Sequence, residues 1–573
     1  MLARCASHDS RFFRATLRLG STALRIINIT DVYKIDNFPS LKTLIEEKKQ
    51  EAEEQFPGGK TVSILTGDFL APYLLSSVDK GIGMMKMLNE TPIDFVTFGN
   101  HEDDLEPEYL RARCTEFNGT WINTNMQDYE QMSSMEPYSI LKIQDKQGNN
   151  PRRVGLLGIL SNSESLYRKN RFNGAAIEDP YETMEKYKKM LETQENVDLV
   201  IPLCHLYVPQ DKVTCEKFDF PVILSGHDHH CVDEVFHGTR LLKAGSDADK
   251  AVILDVIYEE GVNEPKIQAE HVEVKKWKEN KKLREIADKA LSVLGKLENT
   301  EIAKIPQRYR PLSSVDARSQ DETVSHFLFS ELKNALNSRD TDANVPSVDA
   351  VFISGGNIRG GKVYPEGCTF SLKDLKDELQ ETLETVIVSI PGEVIAKGVK
   401  ETHSGSNPGY MQFDGEVSLD EEGNVKTIDG KPIDINKEYR IATTLWDIVD
   451  GPAESITKYF RENKDKLPDT EFPIMATLLS YFAKHVWKQV WKSIDTNADG
   501  IVSKEELQAI DNPKTADGRL NKSELCARMK ALGWDVDENE MGFVDHIFNV
   551  AGDNNKDGLL SLDEMKENNP FQT

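Results

Sequence analysis

Five short apolar, β-rich runs each end in residues able to hold a metal ion. Leu24 to Thr30 runs into Asp31, Thr61 to Thr66 into Gly67-Asp68, and Ile93 to Phe98 into Gly99-Asn100-His101-Glu102-Asp103-Asp104. Further on, Val197 to Cys204 runs into His205, and Phe220 to Ser225 into Gly226-His227-Asp228-His229. Carboxylates and imidazoles at the end of a buried strand are expensive to desolvate unless they bind something. Open α/β sheets place their ligands at the carboxyl ends of strands. One such ending has a plain explanation, since Asp, Asn and Gly also cap helices and make turns. Five in succession point to a metal centre. A mixture of imidazole, carboxylate and amide suits borderline ions such as zinc, manganese or iron rather than calcium.

The series Asp31-Val32-Tyr33, Gly67-Asp68, Gly99-Asn100-His101-Glu102, His205 and Gly226-His227-Asp228-His229 resembles the calcineurin-like metallophosphoesterase signature. Within it, the spacing and the downstream sequence resemble the 5'-nucleotidase and UDP-sugar hydrolase branch, over roughly residues 24 to 460. The resemblance implies an α/β protein with a four-layer αββα sandwich over 24–271, a linker helix in 272–300 and a second α/β substrate domain over 301–465. It also implies two transition metal ions, with Asp31 and His229 on one, Asn100, His205 and His227 on the other, and Asp68 bridging. Two such cations about 3.5–4 Å apart clamp a phosphoryl group. His101 is then the general acid or transition-state stabiliser, oriented by Asp104, and Asn100 and His101 also touch substrate.

Tyr33 departs from the pattern, because the family has a histidine there. Three outcomes follow: a weaker first metal site, an iron-containing site, or a tyrosine that touches substrate. In the second domain, Ser354-Gly355-Gly356-Asn357-Ile358-Arg359 places glycines after a strand, with Arg359 as a permanently charged fork for an anion. The resemblance makes Phe413 and Trp446 a sandwich for a nucleotide base, although core aromatics of an α/β domain would look the same. The glycine-rich segment that follows the second aromatic in the family is reduced to Asp450-Gly451-Pro452. The implied function is hydrolysis of 5'-nucleotides to nucleoside and phosphate. A general alkaline phosphatase, a cyclic-nucleotide phosphodiesterase and a UDP-sugar hydrolase share the mechanism. A calcium sensor with a vestigial phosphoesterase domain is the alternative of another class.

The last stretch, 471–573, reads as an all-α EF-hand module. A helix over Met475 to Ile494 runs directly into a complete calcium loop: Asp495, Asn497, Asp499, Gly500 for the turn, the Ile501 carbonyl, Ser503 near the water position and bidentate Glu506. A second loop has Asp553, Asn555, Asp557, Gly558, Leu559, Ser561 and Glu564. Between them Asp517 to Glu524 looks like the back half of a third, with Pro513 and Thr515 where ligands should stand. The spacing pairs it with the Asp553 loop through Leu520 and Leu560. Calcium is therefore an expected cofactor, tuning the enzyme, and an opened hand could take a protein partner.

The elements that must position these groups alternate. Apolar strands interleave with amphipathic helices such as Ser40 to Gln55 and Asp179 to Gln194, the pattern of a sheet with helices on its faces. Val272 to Leu297 suggests one long helix with a narrow apolar stripe. The net charge of −27 argues against nucleic-acid binding. Seven cysteines without paired spacing suit a reducing, intracellular compartment, and no apolar run approaches a membrane span. Residues 1–23 hold four arginines and one acid. They read equally as a mitochondrial or plastid targeting segment or as a basic tail on a cytoplasmic protein.

Overall fold

A computed structural model describes residues 21–167, 171–339, 347–403, 409–468, 471–510, 517–534, 536, 542–551, 553, 557–567 and 569–570. The targeting segment expected in 1–23 lies almost wholly outside these residues, as do Pro513, Thr515 and Asn555. Two six-stranded sheets form the amino-terminal half. The first runs, in spatial order, Lys266–Glu273, Lys250–Tyr258, Thr22–Ile29, Lys60–Thr66, Phe95–Thr97 and Thr120–Trp121. The second runs Ser139–Ile143, Arg152–Leu160, Leu199–His205, Val222–Ser225, Thr239–Ala244 and Cys231–Phe236.

Alternation sorts the side chains into layers. Leu24, Ile26, Val62 and Ile64 of the first sheet meet Leu156, Ile201, Leu203 and Leu224 of the second in one core. The intervening Ile27, Ile29 and Leu65 face outward onto Leu41, Leu44 and Ile45 of the Phe38–Gln55 helix. On the far side, Leu157, Ile159 and Ile223 pack against Met184, Leu191 and Cys215. These strands are buried on both faces, so they read as continuous apolar runs. The result is the four-layer αββα sandwich that the sequence implied. Asp179, expected inside a helix, is its N-cap: its carboxylate accepts from the Tyr181 and Glu182 amides and starts Pro180–Thr193.

The expected helix over Val272 to Leu297 is shorter. Strand pairing with Lys250–Tyr258 holds the chain extended to Glu273. The helix starts at Lys281, where the Asn280 side chain accepts from the Leu283 amide, and ends at Leu297. It packs on the helices Phe38–Gln55, Ile82–Glu90 and Gly542–Val550.

The second α/β unit has a five-stranded sheet ordered Met411–Phe413, Ala350–Ser354, Glu438–Thr443, Glu384–Pro391 and Phe472–Pro473. Its edge strand, Phe472–Pro473, leads straight into the Ile474–Ile494 helix that opens the EF-hand stretch. That helix buries Leu478, Leu479, Phe482, Val486, Trp487, Val490 and Trp491, an apolar surface wider than one stripe. It therefore packs on several partners: Leu74–Asp79 of the phosphoesterase half, Thr323–Arg339 of the second unit, and Gly542–Val550. One contiguous core runs through all three regions. Leu520 and Asn521 pair antiparallel with Leu560 and Leu559, as the loop spacing suggested. Among the described residues the Asp495 loop has no paired strand, and Ile501 is exposed.

Trp491 is fully buried in that helix. Trp491→Ala should lower the unfolding free energy by about 3–5 kcal/mol. Calorimetry should show the main transition moving with it; a shift confined to a separate calcium-dependent transition would show that the core is not shared.

Candidate active site

Asp31, Asp68, Asn100, His205, His227 and His229 all follow, or end, strands of the two sheets and meet where the sheets' carboxyl edges converge. Asp31, Asp68, His227 and His229 have positive φ, between 52° and 84°. Non-glycine residues in the left-handed region carry strain, and four at one site is the pattern of a functional turn cluster. The turns leave little space. A Cβ on Gly67 (φ +78°) would lie 2.4 Å from His205 Nδ1, and one on Gly99 would lie 2.1 Å from Asp68 Oδ1.

Hydrogen bonds set each ligand's direction. His205 Nδ1 lies 2.8 Å from the Thr66 carbonyl, which leaves Nε2 pointing inward, 3.0 Å from Asp68 Oδ2. Asp68 Oδ1 accepts the His101 amide at 2.8 Å, and the Asp31 carboxylate accepts the His227 amide and the Thr30 hydroxyl. Asp68, His205 and His227 present ligand atoms within 4.8 Å of one another. His227 Nε2 and both polar atoms of the Asn100 amide are buried without a hydrogen-bond partner among the described residues. Orphaned buried polar atoms beside a cluster of ligand-type atoms fit a divalent ion. Burial, then the charge on His205, pushes the His227 imidazole well below its ordinary value, which favours the neutral ring. Burial opposes charging His205, but Asp68 and Asp31 outweigh it and lift it to about 9.

Tyr33 enters this cluster. Its hydroxyl donates to Asp68 Oδ2 at 3.1 Å and lies 3.0 Å from His229 Nε2. Burial, then the Asp68 and Asp31 charges, hold the phenol far above its usual range, so it is a neutral donor. His101 is 6% exposed, and its Nδ1 lies 2.8 Å from Asp104 Oδ2. Burial opposes charging His229, but the Glu384 bond and Asp31 outweigh it and lift it to about 10.

Sequence reasoning assigned no role to several groups that the fold supplies. Glu102 is fully buried and accepts from the amides of Asp68, Phe69, Leu70 and Gly99, tying two ligand loops together. Lys243, also buried, bonds the Leu206 and Gly226 carbonyls and pairs with Asp211 and Asp228 beneath the His227 turn. A charged residue within an otherwise apolar strand end, Leu241-Leu242-Lys243-Ala244, is the one signal that marked Lys243 in advance. Glu384 comes from the second unit, its Oε2 3.8 Å from His229 Nδ1; no local motif marks it.

Of the residues expected to bind substrate, Asn100 and His101 stand at this cluster, whereas Phe413, Trp446 and Arg359 belong to the second unit. Phe413 is 2% exposed and stacks on His326 at 5.2 Å, inside the core of its own sheet, while Trp446 is 54% exposed. The expected base sandwich is corrected accordingly: strand pairing with Ala350–Ser354 turns Phe413 inward, and its ring is already covered. Arg359 is exposed and lines a cleft of 590 Å³ with Lys34, Gln380 and Glu381.

In the first calcium loop, Asp495 accepts from the Asp499 and Gly500 amides, Asn497 from the Asp499 amide, and Asp499 from the Ile501 amide. Glu506 closes it, accepting from Thr496, Asn497 and Ser503 amides. In the second, Asp553 accepts from the Gly558 amide, Asp557 from Leu559, and Glu564 from Ser561.

Comparisons with known proteins agree with this geometry. Residues 24–231 match the calcineurin-like phosphoesterase family and residues 492–510 the EF hand. The chain thus carries a calcineurin-like phosphoesterase domain, whose fold uses divalent metals, and a calcium-binding hand. An apyrase of Tabanus yao is 22% identical over 198 residues, which span 34% of each protein. The NAD nucleotidase of Haemophilus influenzae shares the fold with a TM-score of 0.61 at 14% identity, over 82% of this chain and 97% of that one. A candidate 5'-nucleotidase of Staphylococcus aureus, solved with α-ketoglutarate, gives 0.51 at 14% identity, over 80% and 96%.

Gly99→Ala should force the Asp68 carboxylate out of place. Transition-metal affinity, measured by equilibrium dialysis, should fall about 10–100-fold, as it does when the groups that orient a ligand are disturbed. Unchanged affinity would show that Asp68 is not a ligand.

Proposed function

We propose that the chain is a metal-dependent phosphomonoesterase acting on a small phosphate ester, with 5'-nucleotides as the first candidates. The observation that carries this reading is the buried convergence of Asp68, His205 and His227, with the side-chain atoms of Asn100 and the Nε2 of His227 left orphaned. These four would hold the better-formed ion, and Asp31 with His229 a second, weaker one. Ions there would supply Lewis-acid stabilisation of a phosphoryl group. Zinc, manganese and iron all suit the donor set.

The chain's own groups do the rest. His101, held by Asp104, donates a proton or hydrogen bond to the oxygen on which charge develops. The Tyr33 hydroxyl fills the place of the family histidine; as a neutral donor it weakens the first metal position. Arg359 would hold an anionic part of the substrate on the far wall of the cleft. The buried Phe413 favours a second reading of the same chemistry, a phosphate ester recognised without base stacking.

The EF hands are proposed to modulate this activity, since the Ile474–Ile494 helix that ends at the first calcium ligand packs on both catalytic-side units. The amino-terminal address and any protein partner are left to the two alternatives set out for residues 1–23 and to the exposed first loop. Among the described residues no helix is long and apolar enough to cross a membrane.

Phosphate release from 5'-AMP and from p-nitrophenyl phosphate, with manganese or zinc supplied and with calcium chelated or saturating, tests these statements together. His101→Ala should cut kcat about 10²–10⁴-fold with little change in KM; turnover near wild type would remove His101 from the chemistry. Release indifferent to calcium would remove the regulatory role, and no release from any ester would favour the sensor alternative.

A further inference from the structure

The loop 359–364 of the second unit carries two basic side chains, Arg359 and Lys362. Lys362 is engaged, its Nζ donating to Asp374 Oδ1 and Asp377 Oδ2 at 3.0 Å each. Arg359 is exposed and makes no ion pair among the described residues. It lines its cleft with Lys34, Glu381, Thr382 and Met475, and the same four residues line the cavity that holds Tyr33 and His229. The loop's one unpaired cation therefore stands on a wall shared with the metal-ligand cluster.

Beneath the loop lies Glu378, the last residue of the Leu372–Glu378 helix and fully buried. Its backbone carbonyl accepts from the Arg359 amide at 2.8 Å, and its Oε2 accepts from the Gly360 amide at 3.1 Å. Its Oε1 accepts from the Tyr364 hydroxyl at 2.7 Å and from the Ser314 hydroxyl at 2.9 Å. One residue thus holds both ends of the loop. A Cβ on Gly360 would lie 2.1 Å from that Oε1, so the backbone next to Arg359 is pressed onto the carboxylate. On the other side the Ser314 amide donates to the Lys362 carbonyl at 3.0 Å and the Tyr364 amide to the Leu312 carbonyl at 2.9 Å.

We infer that Glu378 is the positioning residue for Arg359, fixing the backbone from which the guanidinium reaches into the cleft. The inference rests on the cleft being a phosphate-ester site and names the group that aims its anion holder. The argument is one of cost. Glu378 forms no ion pair among the described residues, and a carboxylate buried in that way is expensive to desolvate. Burial raises its pKa, while the Tyr364, Ser314 and Gly360 bonds lower it. Stability by itself is served as well by an apolar side chain as by a buried charge. What the carboxylate adds is shape, because donors from three separate chain positions converge on it. A planar, permanently charged fork gains most from such an anchored base, since its own geometry is already fixed.

The probe is inorganic phosphate, titrated calorimetrically into the full chain loaded with manganese, alongside KM and kcat for 5'-AMP. Arg359→Ala should weaken phosphate about 10–100-fold, as loss of a charge-assisted hydrogen bond does. Glu378→Gln keeps the shape but turns an amide donor toward groups that are themselves donors. It should weaken phosphate at least about threefold and raise KM more than it lowers kcat. With Arg359 already removed, Glu378→Gln should add nothing further. An equal loss in both backgrounds would make Glu378 a general support and overturn the inference. Unchanged phosphate binding in folded Glu378→Gln, or in Arg359→Ala, would overturn it too. If Glu378→Gln does not fold, Gly360→Ala displaces the loop with Glu378 intact and should show the same loss; phosphate binding at the wild-type level there overturns the inference. Wild-type protein that binds phosphate but hydrolyses no ester counts against the proposed function alone, and the binding comparison still decides the role of Glu378. No phosphate binding by wild type overturns both.

Discussion

Buried charge that has to be neutralised governs this structure. Asp31, Asp68 and the His205 imidazole sit at or near zero exposure between two sheets, and His227 is buried beside them. Such groups persist only when each is hydrogen-bonded, paired or ligating. The surrounding architecture satisfies that demand with strained turns at four ligand positions and glycines where side chains would collide. Glu102 gathers four amides from two loops, and Lys243 holds the floor of a third. What this network leaves without a hydrogen-bond partner among the described residues includes the Asn100 amide and His227 Nε2.

The EF-hand stretch is less an appendage than its sequence suggests. Its first helix is apolar around more than one face, so it is covered on several sides, and its partners belong to all three regions. Packed interiors of this kind tolerate little local change in volume. The likeness to the Haemophilus influenzae protein covers 82% of this chain and is one of fold.

Tyr33 joins the buried cluster as a hydrogen-bonding group. Its hydroxyl lies between Asp68 and His229 and ties both, where the family pattern has an imidazole nitrogen. The ring stands edge-on to those of His101 and His229, so the phenol also shapes the wall of the site.

Legible in the chain were a sheet with helices on its faces, the polar turns that end the strands, the calcium-loop spacing and the pairing of Leu520 with Leu560. Those features rest on local rules: side-chain alternation, glycine at tight turns, and oxygen donors at fixed loop spacing. Only the tertiary structure decided that Phe413 is a core residue, that the linker helix begins at Lys281, and that the EF-hand helix is interior. It alone brought Glu384 and Glu471 to His229. Those outcomes depend on which surfaces meet across long chain separations, and no periodicity or motif within a short window encodes such a meeting.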